Sequence, residues 1–89
     1  MSKKNTDEEL IELSQLRWHC RRGVKELDVI LSNYLDNHYL DSAPEIKDAF
    51  KTLLKIEDPI LMDLVMGHIQ IDDQRQNQVL GKMKNSYAN

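Results

Sequence analysis

The chain has 89 residues, 12 of them Lys or Arg and 15 Asp or Glu, which gives a formal net charge of −3. This length suits one domain with a modest core and leaves little room for a large internal active site. The acidic balance argues against general attraction to nucleic acid, and no apolar run reaches the roughly 18 residues that span a bilayer. The single cysteine and the absence of an apolar segment after the N-terminal lysines favour a cytoplasmic protein without membrane insertion.

The first predicted helix follows a polar segment, residues 1–6, which we expect to fray. Thr6 and Glu9 have the spacing of a capping box at its start. One apolar stripe at helical spacing is expected to face the core: Leu13, Leu16 and Cys20. Trp18 lies well away from this stripe, and Arg22 follows it by about one turn. Either the helix is buried on two sides, or Trp18 faces outward to anchor an external contact; if it is exposed, Arg22 can form a cation–π contact with it.

A tight corner is predicted between the first and second helices. Gly23 is expected to end helix one, because cations precede it and glycine tolerates φ > 0. The second helix then runs from Val24 to about His38, with no loop of any length before it. Its apolar stripe is continuous: Val24, Leu27, Ile30, Leu31, Tyr34, Leu35 and His38. Glu26 falls outside the stripe and is predicted to face solvent.

The third and fourth helices each carry a proline in the first turn. Ser42 is expected to cap the third, which runs to about Lys55. Asp58 is expected to cap the fourth, which Gly67 ends. The fourth helix is apolar nearly all round, a pattern typical of a helix in the centre of a core.

The fifth helix is predicted to begin at Asp72 or Asp73. Its apolar positions are sparse: Val79, Leu80 and Met83, with Tyr87 as a further candidate. We expect it to be the least secure element and to end in a frayed tail over residues 85–89. The whole chain, residues 1–89, is therefore predicted to be a single all-α domain, a small bundle of five helices.

No arrangement of residues typical of catalysis is present in the sequence. Three isolated glycines cannot form a phosphate-binding loop, and His19 and Cys20, being adjacent, lie on different helix faces. Cys20 also fits the core stripe, which favours a buried, inert thiol. We therefore predict no enzyme activity, no metal site and no stably bound cofactor. A small DNA-binding protein is a weaker alternative, since the acids of helix two would repel phosphates.

The segment WHCRRGVKELD, residues 18–28, combines clustered charge, the only tryptophan and a glycine. It resembles the W-x-C-R-R-G-x-x-E-L-D signature of the succinate dehydrogenase assembly factor 2 family, the bacterial FAD assembly factors. A second segment, DPIL leading to VMG at residues 58–67, is similar to that family's D-P-x-L…L-M-G. The resemblance covers roughly residues 10–85. It departs at Met62 and Leu64, where relatives often carry a tryptophan, and in a longer N-terminus.

The resemblance implies a five-helix bundle that binds the flavoprotein subunit of succinate dehydrogenase, and often that of fumarate reductase. It also implies that the chain promotes covalent attachment of FAD to a histidine of that subunit, so that FAD belongs to the partner. The residues that match the family's partner-binding surface, or flank it, are Trp18, Arg21, Arg22, Gly23, Glu26 and Asp28. Some members are described as antitoxin-like regulators that bind cytoskeletal proteins, which is the alternative function.

Overall fold

The computed structural model describes the backbone of residues 7–88 and the side chains of residues 7–85. It contains five α-helices and a π-helical turn: α1 Asp7–His19, α2 Lys25–Tyr34, the π turn Leu35–Tyr39, α3 Pro44–Leu53, α4 Asp58–Met66 and α5 Gln74–Ala88. No strand occurs over residues 7–88. The predicted all-α bundle of five helices is confirmed. No helix in this part of the chain is long and apolar enough to cross a membrane.

The first helix ends earlier than its sequence suggests. Helix α1 stops at His19, and residues 20–24 form a short connection to α2. The prediction that Gly23 ends the helix with a left-handed backbone is wrong, because Gly67 is the residue with positive φ among those described. The prediction of a corner without a loop is also wrong, because residues 20–24 connect the two helices. At the end of α4, by contrast, Gly67 has φ 82° and confirms the predicted stop.

The helix caps lie one residue away from two of the predicted positions. Ala43 precedes α3 and Glu57 precedes α4, so Ser42 and Asp58 are not the N-cap residues. Asp58 is instead the first residue of α4, which frees its carboxylate for contacts elsewhere. Asp73 does act as predicted, because its carboxylate accepts the Gln76 N–H at the start of α5, at 3.0 Å.

The helix that looked least secure is at the centre of the bundle. Helix α5 packs against α2, α3 and α4. Its three sparse apolar residues, Val79, Leu80 and Met83, are all buried. Tyr87 and the predicted frayed segment 1–6 lie outside the described side chains. The backbone of residues 85–88 continues α5, and residue 89 is not described, so the frayed ends stay predictions.

Helix α4 is less central than its apolar sequence predicts. It buries Leu61, Leu64 and Val65 but leaves Ile60 46% exposed and Met66 37% exposed. The expectation that it lies in the centre of the core is wrong. It packs one face on α5, while the opposite face of its apolar surface meets solvent.

Helix α1 is peripheral and rests on the π turn. It buries Leu16, and Leu13 packs partly against the core. Two ion pairs support it: Arg17 with Asp36 at 2.6 Å, and Glu12 with Lys51 at 2.7 Å. Helix α1 is therefore held at the edge of the bundle by one face, and its opposite face is exposed.

Candidate partner-binding surface

The signature segment forms the corner between α1 and α2, which we define as residues 18–28. Two of its side chains anchor it in the core, since Cys20 and Leu27 are both 0% exposed. The Cys20 N–H donates to the Leu16 carbonyl at 2.9 Å, which completes the last turn of α1. With these two residues directed inward, the predicted inward positions are confirmed. The other side chains of the corner are exposed or partly buried.

Trp18 is the most exposed large apolar side chain among those described, at 71%. The Arg21 guanidinium lies over its indole ring, 5.6 Å from the centroid. The outward position of Trp18 is confirmed, but the prediction that Arg22 stacks on it is wrong. Because α1 ends at His19, the chain no longer follows helical spacing, and Arg21 reaches the ring instead.

Arg22 points inward and is bound to the connection between α3 and α4. Its side chain is only 12% exposed. Its guanidinium donates to the carbonyls of Leu54 and Ile56 and to the Asp58 carboxylate, the last at 3.2 Å. The prediction that Arg22 faces outward is therefore wrong, although its assignment as a partner-binding residue stays a prediction.

Gly23 lies beside Arg22 and shares its acidic partner. The Gly23 N–H donates to the second carboxylate oxygen of Asp58 at 3.1 Å. A Cβ built on Gly23 would meet only that oxygen, at 3.9 Å, which is ordinary contact. With a φ that is not positive and open space beside it, this position does not need glycine for the fold.

Glu26 stands in the first turn of α2 and is exposed, as predicted. Its side chain forms no hydrogen bond or ion pair with any residue in the described part of the chain. Pairing with Arg22 or Lys25, which its position in the sequence permits, does not occur. Its carboxylate is therefore free to accept a hydrogen bond or a cation from outside the bundle.

A groove of about 460 Å³ runs between α1 and α2 beside the corner. Three of the predicted site residues, Trp18, Arg21 and Asp28, line it. The other lining residues are Ser14, Arg17 and Ser32. Arg17 stands one residue before the signature and is not among the site residues predicted from it, although it belongs to the same local cluster of positive charge. Its hydrogen bond to Asp36 raises the pKa of its guanidinium above the usual value and keeps it beside the groove.

The only cysteine is unsuited to nucleophilic chemistry. Burial raises the pKa of the Cys20 thiol to about 11, so it stays protonated at neutral pH. Among the described residues, no three His, Cys, Asp or Glu side chains are grouped so that they could hold a metal ion.

These features define a small helical protein whose candidate site is an exposed corner with an aromatic–cation pair, an unpaired carboxylate and an open glycine. A sequence model of the family described as "Sdh5: Flavinator of succinate dehydrogenase" matches residues 14–87, and the chain belongs to this family.

The chain matches several curated relatives over most of their length. The chain is 47% identical to "FAD assembly factor SdhE" of Shewanella oneidensis over 60 residues, 67% of this chain and 73% of that protein. It is 35% identical to the protein of the same name in Idiomarina loihiensis over 77 residues, 86% of each chain. The protein of that name in Coxiella burnetii is 30% identical over 70 residues, 79% of this chain and 85% of that protein.

Proposed function

We propose that this protein is an assembly factor that binds the flavoprotein subunit of succinate dehydrogenase and promotes covalent attachment of FAD to it. The family description and the names of the relatives support this function. The observation that carries it in the structure is Gly23, which sits at the exposed corner with no backbone requirement for glycine. A residue without a side chain at this position leaves room for the backbone of another protein.

The roles of the surrounding residues follow from their geometry. Trp18 supplies a large, exposed apolar side chain of the kind that anchors protein interfaces. Arg21, held over the indole, would donate to acids or carbonyls of the partner, and Glu26 would accept from its donors. Asp28, on the rim of the groove, would limit which charges can enter it. The flavoprotein subunit of fumarate reductase is proposed as a second partner of the same surface.

The chemistry takes place in the partner, and the chain itself binds no cofactor stably. The bundle would bind a flavin-loaded, incompletely closed conformation of the subunit better than the closed one, which raises the population of that conformation. In it, the acceptor histidine would be held against the flavin methyl carbon, so that the reaction becomes effectively intramolecular. This role needs a docking surface but no catalytic group on the bundle.

The remaining classes of function have less support. Of the corner's cations, Arg22 is engaged internally, which leaves Arg21 and Lys25 at the surface. Two cations beside the acids of α2 form a poor phosphate-binding surface. Capture of partners from a cell extract would separate the classes directly: a large flavoprotein supports the proposal, whereas a cytoskeletal protein or salt-sensitive nucleic acid would contradict it.

Substitution of Glu26 by alanine tests the proposed surface. We expect covalent flavin in the partner subunit to fall by about tenfold or more, as for loss of an interface hot spot. The free energy of unfolding should change by less than about 0.5 kcal/mol, since Glu26 is exposed and unpaired. The measurements are in-gel flavin fluorescence of the denatured subunit and urea denaturation of the bundle.

Glu45→Ala is the matched control. Glu45 is also an exposed second residue of a helix, in the first turn of α3, away from the corner. It should retain wild-type flavin attachment. Equal flavin attachment by the Glu26 and Glu45 variants would remove Glu26 from the interface.

A further inference from the structure

Asp58, at the start of α4, joins the two signature segments of the sequence. We propose that Asp58 is a positioning residue that holds Arg22 and Gly23 in the geometry recognised by the flavoprotein subunit. The second signature segment, residues 58–67, then affects partner binding by holding the corner in place. Arg22 forms contacts inside the bundle, and Arg21 contacts the partner. The inference rests on the proposed function and assigns a role to Asp58 and Arg22, which are not exposed parts of the docking surface.

The two oxygens of the Asp58 carboxylate have separate tasks. Oδ1 accepts from the Arg22 guanidinium at 3.2 Å, and Oδ2 accepts from the Gly23 backbone N–H at 3.1 Å. The Asp58 side chain is 23% exposed, and its bond to Arg22 is partly buried, whereas its bond to the Gly23 N–H lies at the surface. Bonds to an ionised acceptor are stronger than neutral ones, and two of them on adjacent residues fix the direction of the backbone between them.

Arg22 extends the same link to the end of α3. Its guanidinium donates to the carbonyls of Leu54 and Ile56, which follow the last turn of that helix. A cation at a helix C-terminus satisfies carbonyls that have no partner within the helix. With these three acceptors on its terminal nitrogens, the Arg22 side chain is oriented away from an approaching protein. The exposed arginine of the corner is Arg21.

The connection between α1 and α2 has few other restraints on its backbone. The Arg21 N–H bonds locally, to the Trp18 carbonyl at 3.2 Å. The Gly23 N–H instead reaches a residue 35 positions further along the chain. Without that bond, the open glycine and the aromatic–cation pair would sample several relative positions. Binding would then carry the entropic cost of ordering them, which a preorganised corner avoids.

The test compares Asp58→Asn with two control variants, one at the residue before α4 and one inside that helix. Asn keeps the size and one acceptor oxygen but loses the charge, so it should fold even where Asp58→Ala does not. Glu57→Gln removes an exposed neighbouring charge with no capping bond, and Val65→Ala destabilises the core without touching the corner. Each variant is measured for affinity to the flavoprotein subunit, for unfolding midpoint and for hydrogen exchange at the Gly23 amide.

We expect Asp58→Asn to weaken binding by about tenfold and to speed exchange at the Gly23 amide. Glu57→Gln should match the wild type in both. Val65→Ala should lose stability but keep wild-type affinity at a temperature where it is folded. The inference is overturned if Asp58→Asn binds like Glu57→Gln, or if its loss of affinity equals that of a core variant with the same unfolding midpoint.

The outcomes also separate this inference from the proposed function. Wild-type protein that fails to bind the flavoprotein subunit would overturn both. Binding that is lost in Glu26→Ala but unaffected in Asp58→Asn would overturn the positioning role alone and leave the proposed function standing.

Discussion

The two consecutive arginines of the corner have opposite environments and should respond differently to truncation. Arg21→Ala removes an exposed cation–π contact, so we expect unfolding free energy to fall by no more than about 1 kcal/mol. Arg22→Ala leaves Oδ1 of Asp58 and two carbonyls without their donor, at a cost of about 2 kcal/mol or more. Urea denaturation of both variants measures the difference.

Binding to the flavoprotein subunit should show the reverse order: relative to the stability that each variant loses, Arg21→Ala should lose more affinity than Arg22→Ala. Arg21→Ala should weaken binding to the flavoprotein subunit while leaving the fold nearly intact, and its effect should shrink as salt concentration rises. Equal losses of stability in the two variants would contradict the assignment of Arg22 to the interior.

Residue positions were predictable in the helices and at the first residue after α1, whereas Arg22, further along the connection, was not. Periodicity placed Cys20 and Leu27 inside and Trp18 and Glu26 outside, and their exposures confirm all four. It failed for Arg22 because the helical spacing was extended past the point where α1 ends. A glycine is a common helix stop, but nothing in the local sequence shows that the chain leaves the helix at His19. The carbonyls that turn Arg22 inward lie more than 30 residues away.

At the scale of elements, two of the glycines illustrate how one residue type has different consequences. Gly67 ends α4 with φ 82°, and a Cβ there would come within 3.3 Å of the Lys84 amine. We expect Gly67→Ala to destabilise the protein by about 1 kcal/mol. Gly81 lies exposed inside α5 with open space around it, so Gly81→Ala should stabilise the protein by about 0.5–1 kcal/mol.

Thermal melting of both glycine variants distinguishes these effects. The melting temperature should fall for Gly67→Ala and rise for Gly81→Ala, and neither change touches the corner. A lower melting temperature for Gly81→Ala would show that glycine at this position has a packing role the structure does not contain.

The importance of an element could not be judged from the number of its apolar residues. Helix α5 offers three such residues in its described part, and all three are buried because α2, α3 and α4 surround it. Helix α4 is far more apolar, yet Ile60 and Met66 meet solvent. Periodicity identifies the face that a helix buries, but the order in which helices pack depends on long-range contacts. Those contacts cannot be inferred from the periodicity of a single sequence.

At the scale of the whole molecule, the stabilising core and the proposed binding surface lie on different sides of the bundle. The core lies among α2, α3, α4 and α5, whereas α1 and the corner stand at the edge. The two sides meet at Asp58, which belongs to a core helix and bonds to the corner. Partner binding can therefore change through substitutions that leave most of the core intact, and the core can be altered while the corner keeps its shape.

Alkaline pH should destabilise the molecule first through Cys20. Burial raises the pKa of its thiol from 9.0 to about 11, so the unfolded chain releases this proton at a lower pH than the folded chain does. The stabilising contribution is complete below pH 9 and is lost as pH rises from 9 to 11, amounting to about 1 kcal/mol by pH 10. Urea denaturation between pH 7 and pH 10 measures this decline.

Restriction of that experiment to pH 10 and below makes the cysteine the largest contributor. Burial likewise raises the pKa of Tyr34 above 10.0 and that of Tyr39 from 10.0 to about 12, and a hydrogen bond to Glu12 raises the pKa of Lys51 above 10.5. These three groups therefore contribute mainly at higher pH. Cys20→Ala should be less stable than wild type at pH 7, by about 1 kcal/mol for the truncated core side chain, yet lose less stability between pH 9 and pH 10. An identical decline in the two proteins would assign the alkaline sensitivity to other groups and show that the thiol is more accessible to water than its burial implies.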